Sequence, residues 1–347
     1  VDRLKTNKLN SIDAKRLERG YYEDLVDVAR FNDQLASLYA RQPSDWRGTK
    51  PVTRETGGFP PYEMIPSTRE MYKGVLQGTN QWGMRDREYT REKPSGTYRI
   101  ALLGSSHSKG SGVADHETYE NLVEDRLNAE APPGRRYEIL NFAVGGYGPL
   151  ARMAILSDRV PAFDPDAVLY VAIDDFTWMM NELSSATAES REVPFDRLIA
   201  VLAEVGITPG MARVVAEHRV KPRLPELVEW SYTELFERTR AQGALPLAMI
   251  LPRPIGKSDE LQLIASQVQL AQQAGFQTLD ISDAYAGTQE WSDLWIAPWD
   301  NHPNAHGHRL LADRVHDELR AILIAKGAMP AAKPTKGIGD DIGHDDR

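Results

Sequence analysis

The sequence predicts an α/β fold: a three-layer sandwich around a mostly parallel five-stranded sheet, with an N-terminal helical and irregular extension. Three observations predict it. From Tyr98 onward, apolar runs of strand length alternate with helix-length stretches, the order of a parallel sheet covered by helices on both faces. Turn-forming residues punctuate the chain just before strands, at Asp164-Pro165-Asp166 and Ala274-Gly275-Phe276. Ahead of Tyr98 this alternation is missing, so the extension is set apart from the sheet domain.

Residues 1–96 form that extension. Within 1–47, Leu17, Tyr21, Leu25, Val28 and Phe31 recur three and four apart, one apolar helical stripe expected to dock on the protein's own body. Residues 48–96 are rich in Gly, Pro, Thr and charge. They read as an irregular collar with short strands around Asn80-Gln81-Trp82-Gly83-Met84-Arg85-Asp86. The main domain is 97–325, with strands at 99–103, 137–142, 167–173, 246–251 and 277–281. Helices are expected near 117–130, 149–160, 224–242, 259–274 and 304–325, and residues 184–223 read as a helical insertion that caps the site. In such sheets ligands bind outside the carboxyl ends of the strands, at the switch point. Residues 326–347, rich in Ala, Lys and Pro and then Asp, are expected to be a disordered tail.

With 41% hydrophobic and 26% charged residues among 347, the composition is that of a soluble globular protein. A net charge of −9 with no basic stripe argues against nucleic acid as a partner. No apolar run approaches the ~20 residues that a membrane-spanning helix needs. The absence of cysteine excludes disulfides, thiolate metal sites and a Cys nucleophile. The chain opens on Val rather than Met, so an upstream piece is expected to have been removed, a signal peptide or membrane anchor being one form it could take; the absence of cysteine fits an extracytoplasmic (periplasmic or secreted) bacterial location without demanding it.

Two sites almost 200 residues apart carry the chemistry. Leu102-Leu103-Gly104-Ser105-Ser106 ends the first strand in a Gly-Ser turn, and Asp300-Asn301-His302-Pro303-Asn304 places a carboxylate two residues before a histidine. A neutral Ser hydroxyl is too weak an acid to attack a carbonyl unless an imidazole takes its proton. The imidazole in turn needs an acceptor to fix its tautomer and support its charge. The bland alternative for Gly104-Ser105-Ser106-His107-Ser108-Lys109-Gly110 is a phosphate-cradling or helix-capping loop. It matches neither the P-loop nor G-x-G-x-x-G, and G-x-S-x-S also misses the nucleophile elbow.

Three further stretches have two readings each. The glycines of Asn141-Phe142-Ala143-Val144-Gly145-Gly146-Tyr147-Gly148 let backbone N–H groups approach an oxyanion, or simply serve a strand-to-helix turn. Asp174 and Asp175, after the third strand, suggest an acid/base or metal pair, or a helix N-cap. His302, His306 and His308 suggest a metal site. Against it, Pro303 starts the helix, leaving His302 on the turn outside, and His306 and His308 lie on different faces. His302 as a general base is the preferred reading.

These four blocks, in this order, resemble the SGNH (GDSL-type) hydrolase family, flavodoxin-like serine esterases and acyltransferases, over about residues 98–325. The resemblance implies Ser106 as nucleophile and His302 as base, with Asp300 orienting His302 Nδ1. It implies an oxyanion hole from the Ser106 and Gly146 N–H groups plus an Asn side chain after the third strand, and no metal or organic cofactor. The chain departs from the pattern twice: Ser105 stands where the family has Asp, and Asp174 falls on the oxyanion-hole Asn. An ionised Asp donates no hydrogen bond, so Asp174 serves only if protonated, or Thr177 or Asn181 replaces it. One missing donor costs about 100- to 1000-fold in turnover. The collar motif resembles what precedes such domains in bacterial envelope proteins, including those linked to O-acylation of glycans.

The expectation is therefore a serine esterase hydrolysing an O-acyl ester, with a small molecule or glycan as substrate and Gly145, His107 and Arg253 as substrate-binding residues. Two alternatives stay open. The same machinery with a sugar hydroxyl as acceptor makes an O-acetyltransferase of cell-envelope polysaccharide. A non-catalytic binding module on the same fold draws its support from Asp174, and the presence of Ser106, Asp300 and His302 together counts against it.

Overall fold

The computed structural model describes Pro43, Trp46 and residues 52–256 and 260–331. The apolar stripe from Leu17 to Phe31 and the tail beyond 331 lie outside the described residues. Four short strands come first: β1 (Thr53–Glu55) with β2 (Tyr62–Met64), and β3 (Arg69–Tyr72) with β4 (Val75–Gly78), each pair antiparallel. The stretch from Asn80 to Asp86, expected to hold strands, is a turn instead. Asn80 Oδ1 accepts from the amides of Trp82 and Met84, each at 3.0 Å, and this local bonding displaces a ladder.

Five parallel strands form the sheet, β5 (Thr97–Leu103), β6 (Arg136–Asn141), β7 (Ala167–Ala172), β8 (Leu245–Ile250) and β9 (Gln277–Leu279), in the order β6-β5-β7-β8-β9. The chain steps from β5 to one side and then returns to the other, which leaves a crevice at the carboxyl ends of the central strands. Successive residues face opposite layers. Ala101, Leu103, Val168, Tyr170, Ala248 and Ile250 pack on one side; Ile100, Leu102, Leu169, Val171, Leu247 and Met249 pack on the other. Burial on both faces explains why these strands read as unbroken apolar runs.

The first layer packs on helices α3 (Pro149–Asp158), α4 (Asp175–Ala188), α7 (Leu224–Ala241) and α8 (Glu260–Ala274). The second packs on α2 (Tyr119–Ala129) and α9 (Ala305–Ala325), and α1 (Ser106–Lys109) is a single turn after β5. The helical insertion expected to begin at 184 starts inside α4. Two further short helices, α5 (Asp196–Glu204) and α6 (Arg213–Val220), fill the rest of it. Residues 326–329, expected to belong to the tail, pack on the domain instead: Met329 is buried and the Ala328 carbonyl accepts from the Tyr137 hydroxyl at 2.9 Å.

Collar residues Val52, Met64, Tyr72, Met84 and Tyr89 join the first of these cores, so the collar shares hydrophobic packing with the sheet domain. The start of α3 is held by the half-buried Glu182. Its carboxyl oxygens accept from the amides of Gly148 at 2.8 Å and of Leu150 and Ala151 at 3.0 Å. Burial pushes this carboxyl up to about 7, against the pull of those three amides. A raised carboxyl contributes stability that is present below its unfolded value and lost as pH rises through the folded one. Wild type is therefore expected to lose roughly 2–3 kcal/mol between pH 4.5 and 7 relative to Glu182→Gln, measured by denaturant unfolding. Parallel stability curves for the two proteins would contradict this.

Candidate active site

Ser106 opens α1 directly after β5, with Ser105 as the N-cap. As the first helical residue it has an amide with no intrahelical acceptor. The chain is crowded here: a Cβ on Gly104 would lie 2.5 Å from the Ser108 side chain, so only glycine fits beneath the turn. The C-terminal end of α1 is tied to the collar. The buried Arg85 guanidinium donates to the Lys109 carbonyl at 2.9 Å and to the carbonyls of Gly110 and Val113.

Asp300 and His302 stand on β11 (Asp300–Pro303), which pairs antiparallel with β10 (Trp295–Ala297). Residues two apart on a strand share a face, which is why a D-x-H spacing brings the two side chains together. His302 Nδ1 lies 2.5 Å from Asp300 Oδ1, and His302 Nε2 lies 2.8 Å from Ser106 Oγ. All three residues are buried. Pro303, expected to start the helix, ends the strand instead. Asn304 caps α9, its Oδ1 accepting from the amides of His306 at 3.0 Å and Gly307 at 3.1 Å.

The other oxygen of Asp300 meets a residue the sequence reading did not single out. Lys73 Nζ is 2.8 Å from Asp300 Oδ2, both side chains being 1% exposed. Burial alone would push the Asp300 carboxyl up. The Lys73 ammonium and His302 outweigh it and hold that carboxyl well below the usual carboxylate range. Lys73 also lies at 5.7 Å from the Tyr72 ring, which Lys109 approaches from α1 at 4.2 Å.

The glycine loop after β6 lies beside the Ser106 loop, with the Val144 amide donating to the Gly104 carbonyl at 3.4 Å. Tyr147 N bonds to Val144 O at 3.2 Å, so Gly145 and Gly146 are the centre of a tight turn, and Gly146 has φ +81. From the collar, the Tyr62 hydroxyl donates to the Gly145 carbonyl at 2.8 Å. Because a trans peptide points its C=O and N–H to opposite sides, this bond turns the Gly146 N–H away from Tyr62.

Two expected site residues are corrected. Asp174 is the N-cap of α4: Oδ1 accepts from the Thr177 amide at 3.1 Å and Oδ2 from the Thr177 hydroxyl at 2.9 Å. Its oxygens are occupied as acceptors at the helix end, so it is no oxyanion donor. The same bond commits Thr177. Asn181 faces α6, with Oδ1 accepting from Arg213 at 2.8 Å. Arg253, expected to bind substrate, pairs with Glu260: Nη2–Oε2 is 2.5 Å, and the side chains are 10% and 7% exposed. Glu260 offsets its charge, so it is not poised for an external anion. Asp175 forms no acid pair with Asp174 either; it takes Arg152 at 2.9 Å in the core under β7.

The three histidines of the C-terminal block go separate ways. His302 faces Ser106, His306 is exposed, and His308 is buried with Nδ1 accepting from the Tyr119 amide at 3.1 Å. Among the described residues no group of three or more His, Cys, Asp or Glu could hold a metal ion. The His107 ring lies against that of His302 at a tilt of 31°, ring centroids 4.5 Å apart. Burial, then His302 and Arg253, push its imidazole well below the ordinary range, so it is neutral at pH 7.

No curated protein matches the chain. Among solved structures, the chain is similar to TesA at 15% identity and TM-score 0.43, covering 65% of this chain and 99% of that one. It is similar to Axe2, an acetylxylan esterase from Geobacillus stearothermophilus, at 16% identity and TM-score 0.44, covering 65% and 95%. EstA, a psychrotrophic esterase from Pseudoalteromonas sp., is similar at 18% identity and TM-score 0.40, covering 65% and 98%. Likeness of this degree bears on neither substrate nor activity. A family model, the GDSL-like Lipase/Acylhydrolase family, matches residues 102–310. That match spans more than half of the chain and includes Ser106, Asp300 and His302: the chain belongs to the GDSL-like lipase/acylhydrolase family of ester hydrolases.

Proposed function

We propose that the protein is a serine esterase that cleaves an O-acyl ester through an acyl-enzyme at Ser106. The observation that carries this reading is the buried relay in which His302 bridges Ser106 Oγ at 2.8 Å and Asp300 Oδ1 at 2.5 Å. Asp300 accepts, so the imidazole proton sits on Nδ1 and the Nε2 lone pair faces the serine hydroxyl. His302 takes the Ser106 proton as Oγ attacks the ester carbonyl, and Asp300 supports the imidazolium that forms. The Ser106 and Gly146 N–H groups receive the oxyanion. His302 then gives its proton to the departing alkoxide. A water, deprotonated by the same imidazole, releases the acid and restores the serine.

This reading uses two backbone donors and no side-chain donor from the start of α4, where Asp174 and Thr177 are bonded to each other. The expected consequence is modest turnover: a missing donor costs about 100- to 1000-fold.

Two substitutions test the roles. Ser106→Ala should lower hydrolysis of an activated acetyl ester by at least about 10⁴-fold, with the melting temperature close to wild type. Undiminished turnover would defeat the mechanism. In Gly146→Ala the new Cβ would collide with the Tyr62 hydroxyl at a φ of +81. Displacing that amide should lower kcat about 100-fold with little change in KM. Wild-type kcat in this variant would remove Gly146 from the oxyanion site.

A further inference from the structure

We propose that Lys73, from the collar, is a positioning residue of the active site, a fourth member of the relay that fixes the Asp300 carboxylate and sets the acid limit of activity. The inference rests on the reading of Ser106, His302 and Asp300 as a catalytic relay. Three observations carry it.

The first is geometric. Asp300 is held from both sides, Oδ1 by His302 Nδ1 at 2.5 Å and Oδ2 by Lys73 Nζ at 2.8 Å, with the side chains of Asp300 and Lys73 each 1% exposed. Lys73 has no surface for substrate. It acts through Asp300 by blocking rotation of the carboxylate and keeping Oδ1 on the imidazole.

The second is conformational. Tyr72 pairs with Val75, so Lys73-Gly74 is a two-residue hairpin turn, and both residues have positive φ, +49 and +79. Such turns favour Asn-Gly or Gly-Gly, and a lysine pays a steric penalty there. Strained residues of this kind concentrate at functional sites. The turn aims a long cationic side chain inward from a hairpin that lies outside residues 102–310, the span matched by the family.

The third is the charge balance around His302. Among the described residues, the charged and titratable groups around the relay are Asp300 on β11, Lys73 from the β3–β4 turn, His107 and the buried Lys109 from α1, His308 from α9, and Arg253 after β8 with its partner Glu260. Burial keeps His107 and His308 neutral at pH 7, and Glu260 offsets Arg253. Lys73 supplies a positive charge at ion-pair distance from Asp300. That ammonium offsets the negative charge of the carboxylate that bonds the imidazole.

The test compares wild type with Lys73→Met and Lys73→Gln in ester hydrolysis and in fluorophosphonate labelling of Ser106, each across pH. Both variants should show kcat about 10- to 100-fold lower with KM within about twofold. The acid limb of both profiles should move up by about one pH unit. An acid limb that stays in place overturns the inference, whatever happens to kcat, because a merely structural role would lower turnover without moving it. A cycle of melting temperatures covers the event that Lys73→Met folds poorly. Asp300→Asn alone strands a buried ammonium and should melt well below wild type, and adding Lys73→Met should recover part of the loss. Additive losses overturn the pairing. Wild type that neither hydrolyses esters nor labels at Ser106 defeats the esterase reading alone, since the melting cycle still decides the pairing.

Discussion

A carboxylate removed from water stays ionised only when nearby charge and hydrogen bonds replace its hydration. Asp300 meets that condition with Lys73 on one oxygen and His302 on the other. The arrangement has a structural consequence as large as its chemical one. Because the lysine comes from the β3–β4 hairpin, the collar and the C-terminal hairpin must both be seated before the relay is complete. The orientation of His302, and through it the hydrogen bond to Ser106, depends on a buried charge pair between two distant segments.

The collar touches the Ser106 loop, the glycine loop and the strand that carries Asp300. Arg85 holds the carbonyls at the C-terminal end of α1, Tyr62 pins the Gly145 carbonyl, and Lys73 pairs with Asp300. Asp86 adds a fourth support, its Oδ2 accepting from the Asn141 amide at 2.8 Å at the end of β6. The sheet puts the loops at one end, as a doubly wound topology does, and the collar fixes their backbone geometry. Mutations in residues 52–96 are thus expected to act on turnover as well as on folding.

The sheet was legible in the sequence because strands buried on both faces are short, apolar and bounded by turn residues. Residues 167–173 and 246–251 were each placed within a residue or so of the strand they form. The amphipathic stretches 224–242 and 304–325 were legible for the complementary reason, a single buried face. Asp300 and His302 could be paired by their spacing, although β11 itself is only four residues long and carries no strand pattern. Asp174 was ambiguous in sequence, since the same side chain serves a strand-end site or a helix cap. The Thr177 contacts decide for the cap.

Lys73 could not be read from the sequence. A lysine in a charged, irregular segment is ordinarily a solvated one, and nothing local links it to a carboxylate so far along the chain. The one local signal was Lys73-Gly74 between Tyr72 and Val75, a hairpin turn with a lysine where asparagine is favoured, and it required the register of β3 with β4 to be known. Arg253 misled for the opposite reason: its position after β8 pointed to the crevice, while its partner Glu260 lies on the next helix.

The account turns on whether His302 activates Ser106. Mass spectrometry after treatment with a fluorophosphonate probe, on wild type and on His302→Ala, measures this directly. The predicted result is a single adduct on Ser106 in wild type that is lost in the variant. An unlabelled wild type with intact fold, or equal labelling of Ser106 in both proteins, would contradict it.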